Sequence, residues 1–208
     1  LKGEADIDDY TGENIIYSIS PVGKSEYNDL GVVDLKGVKV NLVTFRTKVL
    51  LLQDTEKIYS DPKSLLPYRI ERNISAAWRK EYIIEEYDQK KFIATFKKFK
   101  GTKLVSQRTI KADGPIHNAI ILPFYLRRFS DLKIGWHFTA RVPGEFKLEL
   151  VSIDKITVPA GKFQAYHFKS VPDRFEIWIS KDSPRVPLKI QGKGFFNYAL
   201  SMKKHSPP

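Results

Sequence analysis

Apolar and polar residues alternate with a period of two through most of the chain, most regularly in its second half. Phe146, Leu148 and Leu150 alternate with charged residues, and the same pattern returns over 175–179 and 186–190. Successive side chains of a strand point to opposite faces of a sheet, so this spacing predicts strands with one buried face and one wet face. Further strands are predicted at 14–20, 32–54 (two strands), 68–74, 81–87, 92–99 and 104–110.

The segments that separate these strands are short and rich in turn residues, as at 100–102, 143–144 and 160–161. Short connections favour antiparallel neighbours, because a parallel crossover needs a dozen or more residues. A flat sheet of so many strands would leave an apolar face uncovered. We therefore predict a mainly β protein, a curved antiparallel sheet forming a barrel or half-barrel. It is expected to be one domain over 1–208, with a core of about 12–201 and frayed ends.

One segment, 115–129, departs from alternation. Its apolar positions follow the stripe of a helix: Ile116, Ala119, Ile120, Pro123, Phe124 and Leu126. Pro115 suits the first turn of a helix, whereas Pro123 should kink or split it. The pattern predicts one helix over about 115–129, packed across the concave face of the sheet.

The composition narrows the classes of partner. At 42% apolar residues the chain is too hydrophobic for disorder, and its apolar runs are too short to span a bilayer. The net charge of +11 predicts attraction to anionic partners, namely lipid, lipopolysaccharide or acidic glycan. Lysines interleave with aromatic residues at 96–100, as in nucleic-acid grooves, but their strand spacing is typical of a solvated face. We expect no nucleic acid partner.

The chain has no cysteine, which excludes disulfides, thiolate zinc sites, iron–sulfur clusters and thiol nucleophiles. Four histidines are widely separated and have no ligand spacing, so we expect no metal and no other cofactor. The chain starts at Leu1 with no signal segment, and we expect that a leader precedes it and has been removed.

The candidates for catalysis are few. His117 follows Asp113 at the start of the predicted helix, where the two residues are candidates for a general base and its partner. The alternative is a surface or capping histidine. Two carboxylate pairs resemble a glycosidase couple, although the second shares a strand face with a lysine and also fits a surface charge ladder. They are Glu85 with Glu86, and Glu145 with Glu149.

The candidates for ligand binding are aromatic and basic. Tyr125, Arg127 and Arg128 lie at the end of the predicted helix, where adjacent guanidinium groups can bind a phosphate or carboxylate. The helix dipole favours arginine at the same place without any ligand, so both explanations stay open. Tryptophans are candidates for lining a sugar or lipid pocket, with core packing as the alternative: Trp78, Trp136 and Trp178.

Five segments in a fixed order cover about 12–201: 12–17 (GENIIY), 61–71 (DPKSLLPYRIE), 125–128 (YLRR), 158–165 (VPAGKFQA) and 177–188 (IWISKDSPRVPL). Together they resemble an exported bacterial family, the domain of unknown function DUF3108. The resemblance implies a periplasmic or lipid-anchored protein with a curved antiparallel sheet. A more distant architectural analogy is to the LolA/LolB-like half-barrels of the cell envelope. The family supplies no agreed catalytic residues that could be assigned to this chain. Because the chain has no cysteine, the presence of a lipid anchor stays an open question.

These observations favour a non-enzymatic protein of the periplasm or outer membrane surface. We expect it to be a monomer, peripheral or lipid-anchored to the membrane at most, that binds a hydrophobic or anionic ligand in the sheet concavity. One alternative is a hydrolase or lyase acting on polysaccharide. The other is a scaffold that docks another envelope protein.

Overall fold

A computed structural model of the chain describes residues 10–77, 79–193 and 198–208. Within these residues, fourteen strands form one continuous sheet that curves like a half-barrel without closing. Every paired neighbour is antiparallel. The predicted fold class is confirmed.

The strands form two meanders, each made of neighbours joined by short connections. The first consists of β1 (Asn14–Ser20), β2 (Lys24–Leu35), β3 (Val38–Val49), β4 (Leu52–Ser60), β5 (Pro67–Ala76), β6 (Arg79–Asp88), β7 (Ile93–Lys100) and β8 (Lys103–Lys111). The second consists of β9 (His137–Val142), β10 (Gly144–Val158), β11 (Gly161–Val171), β12 (Phe175–Ser180), β13 (Pro187–Gly192) and β14 (Ala199–Ser206).

The two meanders are joined through their first and last strands, β1 and β14, which pair in the middle of the sheet. Asn14 lies opposite Ser206 in this pairing. The tail over 203–208 was expected to fray, but residues 203–206 belong to β14, where Lys204, His205 and Ser206 pair with β1 and a register shift skips Lys203.

The predicted helix is much shorter than expected. Only α1 (Leu122–Leu126) is helical, so the range 115–129 is wrong. Pro123 stands at the start of this helix rather than in its middle, where proline is well tolerated. The side chain of Asn118 accepts hydrogen bonds from the backbone N–H groups of Ile120 and Ile121, at 2.8 and 3.2 Å, and so forms the turn that begins it.

The residues before this turn are held by the β6–β7 connection and by β9 instead. The side chain of Gln89 accepts from the Ile116 N–H at 3.1 Å and donates to the Ile116 carbonyl at 2.9 Å. The His117 N–H donates to the carbonyl of Arg141 at 2.7 Å. Backbone groups already paired in this way are unavailable for helical hydrogen bonds, which explains the late start of α1.

The short helix divides its apolar side chains between two core clusters. Phe124 stacks on Tyr27 with ring centroids 3.8 Å apart, in a cluster to which both meanders contribute buried side chains. Leu122 and Leu126 pack into the cluster under the second meander. Burying a side chain of this size stabilises a fold by about 1.5–3 kcal/mol. The segment therefore fastens both halves of the sheet to one piece of chain across the inner face.

No helix among the described residues has both the length and the apolar character needed to cross a membrane.

Candidate functional site

A pocket of about 340 Å³ lies between the inner face of the first meander and the segment that leads into α1. Aromatic and aliphatic side chains make most of its wall. Ala119, Ile120 and Phe124 cover it from the α1 side. Its remaining apolar wall is formed by Tyr17, Ile19, Phe45, Val49, Ile190, Tyr198 and Leu200.

Three ionisable side chains line one part of this wall. Asp54 and Glu56 belong to β4, and Arg72 lies directly opposite Glu56 on β5. The Arg72 Nε atom is 3.0 and 2.9 Å from the two carboxylate oxygens of Asp54. It is 3.3 Å from Oε1 of Glu56. We call these three residues the pocket triad. One guanidinium faces two carboxylates, so acid is in excess.

The pocket triad is largely shielded from water. The Asp54 and Glu56 side chains are each 14% exposed, and that of Arg72 is 35% exposed. Burial raises the pKa of Glu56 to about 7, and the attraction of Arg72 only partly opposes this effect. Glu56 therefore exchanges its proton near neutral pH, and the charge of the triad varies between zero and −1.

The neighbouring strand β6 adds a second buried acid. The Tyr87 hydroxyl donates to Glu85, and burial raises the pKa of Glu85. Glu86 points to the other face, where Lys97 and Arg69 bind it at 2.7 and 3.2 Å. Adjacent strand residues face opposite ways. Glu85 and Glu86 therefore do not share a site, as a glycosidase couple must.

Arg127, a predicted ligand-binding residue, lies in a closed ion pair. Its Nη1 and Nη2 atoms donate to the two Glu13 oxygens at 2.9 and 2.7 Å, and both side chains are at most 1% exposed. His205 reaches the same carboxylate at 3.0 Å, and the ring of Tyr10 lies 3.5 Å from the guanidinium carbon. Burial is the largest single influence and opposes the charge of Arg127, but the hydrogen bonds to Glu13 and the attraction of nearby negative charge together raise its pKa.

Arg128 points to a different place. Its Nη1 atom donates to the carbonyls of Pro62 and Lys63, at 3.1 and 2.7 Å, and so ties the end of α1 to the β4–β5 connection. Burial lowers its pKa, and the charge of Arg127 adds to this. The fold itself uses both guanidinium groups, and their role in ligand binding stays a prediction.

His117 is partly buried, and its Nδ1 atom accepts the backbone N–H of Arg141 at 3.2 Å. Burial lowers its pKa to about 4, with a contribution from Arg141, so its ring is neutral at pH 7. Asp113 is exposed. The structure thus orients His117 through a backbone amide. Its proposed part in catalysis stays a prediction.

Tyr125 and Trp136 belong to one aromatic cluster beside β9. The ring of Phe129 lies 5.2 Å from that of Tyr125 and 4.9 Å from that of Trp136. Phe138 also packs against both. These two candidates therefore lie close together, but on the second meander, away from the pocket triad.

Trp178 stacks on His167 across β11 and β12, with ring centroids 4.3 Å apart. Asp154 lies 2.9 Å from Nδ1 of this histidine, and Glu176 lies 2.7 Å from Nε2. Both ring nitrogens are engaged by acids of the protein, so His167 has no nitrogen left for a substrate. Trp78 lies outside the described residues.

The pocket triad was missed by sequence reasoning, although a signal for it exists. Asp54 and Glu56 have the same strand parity as the buried Ile58, and Arg72 has that of Ile70. Charged residues at inward positions of two neighbouring strands, with opposite signs, indicate a polar site within an apolar face. The signal becomes readable only when the register of the two strands is known.

Comparison with known proteins gives a family and no activity. A family model described as a protein of unknown function, DUF3108, matches residues 32–201. The match contains the pocket triad and α1. No curated protein matches the chain. Among the described residues, no three histidine, aspartate or glutamate side chains form a group that could hold a metal ion.

Proposed function

The chain belongs to the DUF3108 family, and we propose that it binds a small amphipathic molecule in the pocket of the first meander. The apolar body of the ligand lies against Phe45, Ile120 and Leu200. Its polar end reaches the pocket triad. The observation that carries the proposal is this pocket, an apolar chamber with three ionisable groups on one wall.

The volume and the lining favour binding of a small molecule. Ligand pockets typically measure about 300–1,000 Å³ and combine apolar walls with a few polar groups that orient the ligand. At about 340 Å³, this pocket is at the small end of that range. It suits one short hydrocarbon chain or a compact ring system rather than an oligosaccharide.

The charges favour one kind of polar end. Asp54 already occupies Arg72 with both carboxylate oxygens, so the guanidinium has little to offer an anion. An anionic group would also approach Glu56 and Asp54, whose negative charge repels it. A hydroxyl or an amine can instead donate to these carboxylates. Of the predicted classes of ligand, we therefore retain the hydrophobic one and place no anionic group in the pocket.

We keep the location expected from the sequence, the periplasm or outer membrane surface, as part of the proposal. A non-enzymatic carrier or sensor of an amphipathic molecule fits that location. Fractionation of cells that express the full-length gene, followed by detection of the protein in the periplasmic or membrane fraction, tests it.

The binding test uses N-phenyl-1-naphthylamine, a neutral dye that fluoresces in apolar sites. We expect saturable fluorescence with the wild-type chain, and displacement by decanol and decylamine. Decanoate should compete about tenfold more weakly at pH 8. Failure to obtain saturable fluorescence would contradict binding, and displacement best achieved by decanoate would contradict the assigned polar end.

A matched pair of variants locates the dye. Ala119 is exposed and lies at the cover of the pocket, so the side chain of Ala119→Trp should fill the space. We expect it to weaken binding of the dye by about tenfold or more. Ala160 is also exposed, in the β10–β11 turn, so Ala160→Trp should leave the affinity for the dye unchanged. Equal affinities in both variants would place the dye elsewhere.

A further inference from the structure

Among the fully described hairpin connections of the first meander, three lie at the same end of the sheet, because antiparallel strands bring every second connection to the same side. They are 21–23, 50–51 and 101–102, and we call them, with the residues that flank them, the hairpin edge. Leu50 and Leu51 are 75% and 72% exposed, and Val22 is 56% exposed. Large apolar side chains gathered at exposed tips indicate an interaction surface.

These apolar side chains form one patch. A Cβ atom built on Gly23 would approach Val49 Cγ2 to 2.8 Å, which shows how closely the β1–β2 connection lies against the β3–β4 hairpin. Leu50, Leu51 and Leu52 continue the patch along the hairpin and border an apolar depression together with Ile74 and Ala76.

The backbone at Leu50 makes this leucine unusual. Its φ is 51°, in the left-handed region where glycine, asparagine and aspartate are favoured. A leucine there is unfavourable for the fold and contributes no core contact, since the side chain points into solvent. Local stability gives no reason for leucine at this tip, whereas contact with an apolar environment does.

Basic residues lie at the same end of the sheet as the patch. Lys24 lies directly opposite Lys48 on the neighbouring strand, and Lys100 lies opposite Lys103. Like charges placed opposite each other repel, and an anionic partner relieves the repulsion. The cross-strand row that starts at Lys24 continues without any acid, through Lys48, Gln53, Ser75 and Lys80.

We propose that the hairpin edge docks on an anionic lipid surface. Leu50, Leu51 and Val22 enter the boundary between headgroups and acyl chains, and the lysines meet the lipid phosphates. Apolar tips ringed by basic residues are the combination that such a surface binds. A stable protein interface uses about 20–30 residues on each side, which is far more than these few tips offer.

The docking proposal rests on the hairpin edge alone and does not depend on ligand binding in the pocket. Val49 connects the two features, because it lines the pocket and also starts the 50–51 connection. Docking would therefore bring one wall of the pocket to the membrane. The two proposals are separable, since the dye test contains no membrane and the vesicle test contains no dye.

The first experiment is sedimentation of the whole chain with phosphatidylcholine vesicles, with or without phosphatidylglycerol. We expect binding only with phosphatidylglycerol, weakened by salt. The double variant Leu50→Asn, Leu51→Asn should reduce partitioning by about tenfold or more, and asparagine suits the backbone of position 50. Val38→Asn is the control, because Val38 is 52% exposed in a hairpin at the opposite end, between Lys36 and Lys39.

The second experiment reports insertion directly and does not depend on a loss of binding. The chain has no cysteine, so Leu51→Cys and Val38→Cys each give one site for the environment-sensitive label NBD. We expect phosphatidylglycerol vesicles to shift the emission at position 51 to the blue and to leave position 38 unchanged. Equal binding to both kinds of vesicle, equal losses in edge and control variants, or an unshifted label at position 51 would each overturn the proposal. The last result would favour a protein partner.

Discussion

Two arginine–carboxylate clusters in this protein have the same chemistry and opposite settings. In the closed cluster, Arg127 and Glu13 are at most 1% exposed, and Nη1 and Nη2 of Arg127 each donate to one Glu13 oxygen. In the pocket triad, the carboxylates of Asp54 and Glu56 share Arg72 beside an open volume of about 340 Å³. The difference indicates that an inward-facing charged side chain points to a ligand site only where an open pocket and an excess of one charge lie beside it.

The balance of partners differs as much as the exposure. The Glu13 carboxylate receives donors from both Arg127 and His205. In the pocket triad the acids outnumber the base, and burial raises the pKa of Glu56 to about 7. In the closed cluster the bidentate pair leaves both Glu13 oxygens with donors, whereas in the triad two carboxylates share one guanidinium, as the proposed binding of a polar ligand group requires.

Removing the guanidinium of Arg127 should have the largest effect on the free energy of unfolding. Arg127→Met leaves the Glu13 carboxylate buried without its main partner, and we expect the free energy of unfolding to fall by about 3–5 kcal/mol. Urea denaturation measures it. The matched variant Arg72→Met should cost about 1–2 kcal/mol, because water reaches Asp54 and Glu56 can take a proton. Equal losses in the two variants would erase the distinction between the clusters.

Replacing Glu56 with a neutral side chain should increase the free energy of unfolding, and the increase should depend on pH. Folding raises the pKa of Glu56 from its ordinary 4.5 to about 7, so the folded state holds a proton that the unfolded state has released in this window. Stability contributed by this group is present below pH 4.5 and is lost as pH rises to 7. Glu56→Gln should therefore exceed the wild type by about 1–3 kcal/mol at pH 8.

At pH 4.5 the Glu56→Gln variant should differ little from the wild type. Urea denaturation at the two pH values gives the comparison, and all other ionisable groups are common to both chains. A constant difference between the chains at both pH values would show that Glu56 does not titrate as its burial implies.

The smallest of these effects concerns the second donor of the closed cluster. His205→Phe removes the contact of Nε2 with Glu13 and leaves Arg127 in place, so we expect a loss of about 1 kcal/mol. Thermal unfolding at pH 6 suffices to measure it. A loss as large as that of Arg127→Met would mean that the histidine, rather than the arginine, satisfies Glu13.

The sequence alone predicted the mainly β fold, because alternation and short turns are local properties. It predicted β1 with the observed bounds Asn14–Ser20. It overextended the helix at 115–129, because the bonds that hold Ile116 and His117 come from Gln89 and Arg141, which are 27 and 24 positions away in the chain. Apolar spacing cannot reveal such competition for backbone groups.

The candidate site was harder to predict, for the same reason. Glu13 and Arg127 are 114 positions apart in the chain, so Arg127 looked free at the end of a helix. Asp54 and Arg72 were not singled out from the sequence, because only the β4–β5 register brings them together. Pairing between strands that are distant in the chain decides which charged groups find a partner. Local patterns in one sequence do not reveal that pairing.

The pairing of β1 with β14 has a consequence for how the chain can be rearranged. Read from β9 through β14 and on through β1 to β8, the sheet is a single uninterrupted up-and-down series. A circular permutant opened between α1 and β9, so that α1 follows β8 at its end, would therefore keep every strand neighbour while making each one sequential. Lower contact order should let such a permutant fold faster to the same sheet.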